Sequence, residues 1–372
     1  MPFDDVVLMI PGFLGFSRLG EFYYFADRVS AALRGALQAT MQRTIPVVPV
    51  SNLPSDRLAN RQEWLIGTLA GLCDRMGGVS RLHLVGHSAG GVDAQLLTCD
   101  RPLGRSWWST DEQRLRDKIK SVVSIASPHH GTCLSNAPLA KLIADPLRQI
   151  AADPIAQVGL LPVVARQLWD FSRLARSESD MLYTSLLARM EESSAFLWNV
   201  IRHRGLINDL APRPMESIRH HWGKGSVPLR SFVTVTPLPR DADPFFEDLY
   251  LLTSDTSASP ASGVLHRAAA LLNERRPDAI RSCQEVPRFD DRVNDGVVNS
   301  ARQLLDPGDP DELAGIVVAD HADVLGHYDR RDIFMDGAPL NLGLFHSGAG
   351  FTDNQFYALY GRVAEVLTPF MC

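Results

Sequence analysis

The sequence predicts an α/β fold, a mostly parallel, doubly wound sheet with a helical insertion. Three observations predict it. Short β-branched and aliphatic runs alternate with stretches of helical period from Val6 to Ala126, helices alone follow from about Leu134 to Pro228, and strands then return. The expected organisation is a first part of the core at 1–133, a helical cap or lid at 134–229 and a second part of the core at 230–372. At 372 residues the chain has room for one large domain with an insertion, or for two ordinary domains.

Val6-Val7-Leu8-Met9-Ile10, closed by Pro11-Gly12, reads as a strand buried on both faces. Phe22, Phe25, Val29, Leu33 and Leu37 recur at steps of three or four and predict the helix that follows. Ile45 to Val50, with two prolines, is expected as an irregular strand, and Leu58, Leu65, Leu69 and Leu72 as the stripe of a second helix. Leu82 to Val85 is the next strand, then a glycine-rich turn and a helix from about Ser88 to Leu97. Ser121 to Ala126 closes this half as another buried strand. In the insertion, one apolar stripe runs Leu161, Val164, Leu168, Phe171, Leu174, and a later one Leu182, Leu186, Met190, Leu197. Beyond it, Ser231 to Val235 and Ile316 to Ala319 read as strands and Asn354 to Leu367 as a last helix. Segments 237–244, 253–262 and 306–311, rich in Pro, Asp and Ser, read as loops.

An apolar fraction of 45% and a charged fraction of 22% are those of a globular chain with a sizeable core. The net charge of −6, without a long basic block, excludes the usual footprint of a nucleic-acid binder. Five scattered Cys without a C-x-x-C pair suggest free thiols rather than a disulfide framework or thiolate metal site. The acidic start and short run Val6 to Ile10 do not read as a signal peptide, so the expected localisation is cytoplasmic. No apolar stretch approaches the roughly 20 residues that cross a bilayer, so any contact with a lipid interface is expected to be peripheral.

The chemistry is signalled by Gly86-His87-Ser88-Ala89-Gly90, a G-x-S-x-G between a predicted strand and a predicted helix. A turn this tight holds its apex residue in a strained conformation and leaves no room for side chains two residues before and after it. The result is an exposed hydroxyl above a helix N-terminus, where developing negative charge is favoured. Ser88 is therefore the candidate nucleophile of an acyl-transfer site. The tetrahedral oxyanion needs two N–H donors; the candidates are Ala89, next to the nucleophile, and Phe13, in the loop after the first strand.

A serine hydroxyl needs a histidine to take its proton and a carboxylate to orient that histidine, in the chain order Ser, acid, His. His321, in Asp320-His321-Ala322-Asp323 after the strand ending at Ala319, is the leading base, with His327 and His346 as rivals. His83 alternates with apolar residues and reads as structural, and His87 as a neighbour in the turn. For the acid, Asp295 in Asn294-Asp295-Gly296-Val297-Val298 stands beside Asp290 and Asp291.

These residues resemble the true lipases of bacteria, of the Geobacillus and staphylococcal type and of the Pseudomonas and Burkholderia type, in the α/β-hydrolase superfamily. The resemblance runs in patches outside the cap. It is carried by Pro11 to Phe16, Ser51 to Ser55, Ala126 to Thr132, Asn294 to Asn299 and Asp320 to Gly326. It implies a serine carboxylic-ester hydrolase, a lipase or esterase, with Ser88, Asp295 and His321 as its triad. There are departures: Pro11 stands where His is usual and Ala89 where Gln is usual, although only the Ala89 N–H is needed. The resemblance also implies a calcium ion bracing the histidine loop, for which Asp323 and Asp329 are the candidate ligands. Asp209 resembles one ligand of the Geobacillus zinc site, but the insertion that supplies two histidines is missing, so zinc is not expected. No cofactor is required for the chemistry.

The expected partner is a small-molecule or lipid ester, with the stripe Leu161 to Leu174 as a lid or as a fixed helix of the cap. The same triad also serves acyltransferases, phospholipases and thioesterases, and a catalytically silent binding protein is the alternative from another class.

Overall fold

Val6 to Ile10 lie in β1 (Phe3–Ile10), and their side chains divide by parity between two cores. Val7 and Met9 pack on one face with Val29, Leu33 and Leu37, while Val6, Leu8 and Ile10 pack on the other with Leu65, Leu69 and Leu97. Such two-sided burial is why the run is continuous rather than alternating. The computed structural model describes residues 3–13, 15, 18–19, 22–132, 205–219, 227–235, 295, 297–306, 309, 311–328, 333–335, 338–340, 347 and 349–372.

After β1 come a small antiparallel pair, β2 (Arg18–Leu19) and β3 (Phe22–Tyr23), then α1 (Asp27–Met41), β4 (Val47–Pro49), α2 (Leu58–Arg75) and β5 (Val79–His87). There follow α3 (Ala89–Leu96), α4 (Thr110–Arg116), β6 (Ile119–Ile125), α5 (Gly205–Asp209), α6 (Pro212–Arg219) and β7 (Leu229–Val235). The last elements are β8 (Leu313–Val318), the short antiparallel pair β9 (Ile333–Met335) and β10 (Ala338–Leu340), and α7 (Asp353–Leu367). The main sheet has the order β4-β1-β5-β6-β7-β8, and every pairing in it is parallel. Helices α1 and α7 cover one face, and α2, α3 and α4 the other, as a doubly wound fold requires.

The first helix begins later than its apolar stripe suggests. Phe22 lies in β3, and Ala26, with an extended φ of −56° and ψ of 149°, gives its N–H to the Leu325 carbonyl at 2.9 Å. That tertiary bond keeps Phe22 and Phe25 out of the helix. The strand expected over Ile45 to Val50 narrows to Val47–Pro49 at the sheet edge, where prolines that cannot donate are tolerated. The short helix α4 was not anticipated, although Ser109 and Glu112 close a capping box at its start.

Strands β6 and β7 are sheet neighbours, with Val122 opposite Leu229 and Ile125 opposite Phe232, although about a hundred residues separate them in sequence. Of the segment between them, α5 and α6 are described. The stripes Leu161 to Leu174 and Leu182 to Leu197, and the loops expected at 237–244 and 253–262, lie outside the described residues. Among the described residues, no helix is long and apolar enough to cross a membrane.

Candidate active site

Strand β5 is flanked on both sides in the sheet, and its carboxyl end runs into His87 and Ser88. Ser88 has φ 55° and ψ −131°, a left-handed conformation of the kind that costs about 1–3 kcal/mol and persists only where the surroundings enforce it. They do so here. The Ser88 N–H donates to the Ile125 carbonyl at 2.9 Å, and a Cβ on Gly86 would run into the backbone of Gly90 and Gly91. A Cβ on Gly90 would meet the Ile10 carbonyl, so the elbow is wedged against the end of β1.

The carboxyl end of the sheet gathers the other two groups. His321 follows β8 and Asp295 lies beyond β7; the His321 N–H donates to the Asp295 carbonyl at 2.9 Å, which ties the two loops together. His321 Nε2 is 2.9 Å from Ser88 Oγ, and His321 Nδ1 is 2.8 Å from Asp295 Oδ2. An ionised carboxylate only accepts, so Nδ1 carries the proton and Nε2 is left to accept from the serine hydroxyl. Asp295 is fully buried, and its oxygens are saturated with donors. Oδ2 also accepts from Thr234 Oγ1 at 2.6 Å and Gln303 Nε2 at 3.1 Å, and Oδ1 from the N–H groups of Val297 and Val298 at 3.0 and 2.7 Å. Burial alone would raise this carboxyl, but the facing His321 and the donors around it outweigh burial and hold it below the usual range.

The other candidates fall elsewhere. His83 is buried between Ser121 and Asp5, at 2.8 and 3.0 Å. His327 is buried, whereas the imidazole against Ser88 is that of His321. Asp290, Asp291 and His346 lie outside the described residues. Ala89 opens α3, so its N–H is one of those a helix start leaves without an intrahelical partner. Phe13 follows Gly12, which lies so near Ser88 that an added Cβ would sit 2.6 Å from the serine Cβ.

Several supporting residues escaped the sequence reading. Arg61 and Asp93, both fully buried, form an ion pair at 2.5 Å; the guanidinium also donates to the carbonyls of Leu53, Pro11 and Gly12, and Asn52 Nδ2 donates to Asp93 at 3.0 Å. This clamp joins the loop after β1 to the loop after β4. Thr132 Oγ1 donates to the Val297 carbonyl at 2.5 Å, so the exit of β6 braces the acid loop. Apart from the bond of Arg61 to Leu53, each of these contacts spans more than about thirty residues of chain, so spacing gives no sign of them.

Asp209 accepts the Leu58 N–H at 2.9 Å and so caps the start of α2. Asp323 is buried, with Oδ2 accepting from the Asp320 N–H and from Ser347 Oγ, each at 2.7 Å. Burial, with the neighbouring Asp320 carboxylate, pushes its carboxyl up to about 7. Asp329 lies outside the described residues. Among the described residues, no group of three or more His, Cys, Asp or Glu is gathered to hold a metal ion.

No family model matches the sequence. The chain is 28% identical over 131 residues to a triacylglycerol lipase of Pseudomonas fragi, a match that spans 35% of this chain and 36% of that protein. Among solved structures, EstA of Clostridium botulinum is similar with a TM-score of 0.52 and 17% identity, covering 98% of this chain and 87% of that one. The Staphylococcus hyicus lipase is similar with a TM-score of 0.50 and 17% identity, covering 99% and 96%. The parallel sheet, its elbow and these likenesses together give the chain the α/β-hydrolase fold, and its similarity is to bacterial lipases and esterases.

Proposed function

We propose that this protein hydrolyses carboxylic esters, on lipid-like acyl substrates, through an acyl-enzyme on Ser88. The observation that carries the reading is the hydrogen-bonded line Ser88, His321, Asp295 at a strained elbow above a helix start. Ser88 Oγ attacks the ester carbonyl carbon while its proton passes to His321 Nε2, and Asp295 stabilises the resulting imidazolium. The oxyanion is met by the N–H groups of Phe13 and Ala89. As the tetrahedral intermediate collapses, the C–O bond to the alcohol breaks and His321 gives its proton to the leaving alkoxide. Water then attacks the acyl-serine, losing its proton to His321, which returns it to Ser88 Oγ as the acid departs. The lipid-like substrate is suggested by the likeness to the Pseudomonas fragi lipase over a third of the chain.

The same reading divides the chain into core halves 1–133 and 230–372 around an insertion at 134–229, a division supported by the pairing of β6 with β7. A calcium ion would brace the histidine loop. The described part of its site is compatible with a hard divalent cation, since Asp320 and Asp323 are neighbouring buried carboxyls. Asp323, with Asp329, would hold the ion, which would supply rigidity and take no part in bond making.

The test is a panel of p-nitrophenyl esters of increasing acyl length, with calcium and with chelator. Wild type is expected to turn over and Ser88→Ala to lose turnover with its fold intact. Retained activity in Ser88→Ala refutes the nucleophile, and a chelator that changes neither rate nor Tm refutes the calcium. Product analysis with a competing alcohol separates hydrolysis from acyl transfer.

A further inference from the structure

Tyr24 and His87 stand outside the line of Ser88, His321 and Asp295, yet both are buried against it. The Tyr24 hydroxyl is 2.8 Å from His87 Nδ1, and His87 Nε2 is 2.8 Å from the His321 backbone carbonyl. A carbonyl only accepts, so His87 Nε2 carries the proton. Nδ1 of the neutral ring is then an acceptor, and the Tyr24 hydroxyl donates to it. The Tyr24 oxygen in turn accepts from the backbone of Gly12, whose Cα is so close that an added Cβ would meet that oxygen at 2.7 Å. The rings of His87 and His321 lie tilted together, with centroids 4.8 Å apart.

We propose that Tyr24 and His87 are positioning residues, forming a bridge from Gly12 through both side chains to the His321 carbonyl. It keeps the oxyanion segment, the elbow and the histidine loop in one register. The proposal rests on the ester-hydrolase reading above. The bridge touches all three loops whose relative placement sets the attack geometry, and it meets His321 at the backbone carbonyl rather than at the ring nitrogens that exchange protons. Its chemistry also suits the cycle. Burial and the nearby His321 hold the His87 imidazole at a pKa of about 3, so it stays neutral when His321 takes the serine proton, and no second positive charge faces the imidazolium.

The experiment compares Tyr24→Phe, His87→Leu and His87→Gln with wild type. Tyr24→Phe strips Gly12 of its acceptor and His87 of its donor, and kcat is expected to fall about tenfold, or about 1.4 kcal/mol, with KM changed less than about twofold. His87→Leu is expected to lose a similar factor. His87→Gln, whose side-chain N–H reaches the place of Nε2–H, is expected to recover most of it. A second readout needs no substrate: the low-field NMR resonance of the proton between His321 Nδ1 and Asp295 is expected to shift or broaden in Tyr24→Phe and His87→Leu, and to return in His87→Gln. Should wild type hydrolyse no ester, the functional reading fails, and this resonance still decides the bridge. Folded Tyr24→Phe and His87→Leu proteins with wild-type kcat and an unmoved resonance overturn the proposal. So does a His87→Gln protein no better than His87→Leu in both readouts.

Discussion

Replacing Arg61 by Met tests whether the buried clamp serves both stability and geometry. In the wild type the guanidinium and the Asp93 carboxylate are fully buried and paired at 2.5 Å, and among the described residues Asn52, at 3.0 Å, is the one further side-chain donor to that carboxylate. Burial pushes the Asp93 carboxyl up even with Arg61 in place, so removal of the cation leaves it strongly disfavoured as an anion. Breaking one half of such a pair costs about 3–5 kcal/mol. For 372 residues the unfolding entropy is about 0.8 kcal/mol per kelvin, which converts the loss to a fall in Tm of about 4–6 °C. The double variant Arg61→Met with Asp93→Leu replaces the whole pair by apolar groups and is expected to recover most of that fall. It does not restore the donors to the carbonyls of Leu53, Pro11 and Gly12, so the loop carrying Phe13 stays loosened and kcat stays about ten- to a hundredfold low. Thermal melts and ester kinetics on the four proteins of the cycle decide it. A double variant no more stable than Arg61→Met, or a single variant melting within about a degree of wild type, refutes the reasoning.

Two further outcomes follow from the same contacts. Asp295→Asn keeps an acceptor for the Val297 and Val298 N–H groups but loses the charge that stabilises the His321 imidazolium; kcat is expected to fall about 10³–10⁴-fold with KM little changed, and a loss below about tenfold would remove Asp295 from the proposed triad. At the other end of the sheet, burial would raise the Asp5 carboxyl, but Arg81, His83 and Arg43 outweigh it and hold it well below the ordinary carboxylate range. A depressed acid stabilises the fold above its unfolded pKa of about 3.9 and loses that contribution as pH falls toward its folded value. Urea unfolding is therefore expected to find Asp5→Asn less stable than wild type at pH 7 and the gap closing below about pH 4; a gap independent of pH contradicts the assignment.

How much of this was legible in the sequence depends on the range over which each feature is encoded. The elbow was legible because its requirements are local: Gly86, Ser88 and Gly90 answer to steric contacts within a few residues, and the flanking strand and helix carry their own periods. Ser88, His321 and Asp295 were nominated by order and context, and the chain brings them together because each follows a strand of one parallel sheet. What lies across strands was not legible. Tyr24 reads in sequence as one more aromatic near the first helix, and only the close approach of Gly12 and His87 gives its hydroxyl a purpose. Arg61 sits on an amphipathic helix where a charged residue is ordinarily solvated, yet it is fully buried because Asp93 and three loop carbonyls receive it. Phe22 missed its helix for a related reason, since the bond from Ala26 to Leu325 outranks the local period. In each case a tertiary partner more than 25 residues away decides, and in each the partner lies on or beside a loop at the carboxyl end of the sheet. The same crowding of loops that hides these residues from a one-dimensional reading is what holds a serine hydroxyl, an imidazole and a carboxylate in line.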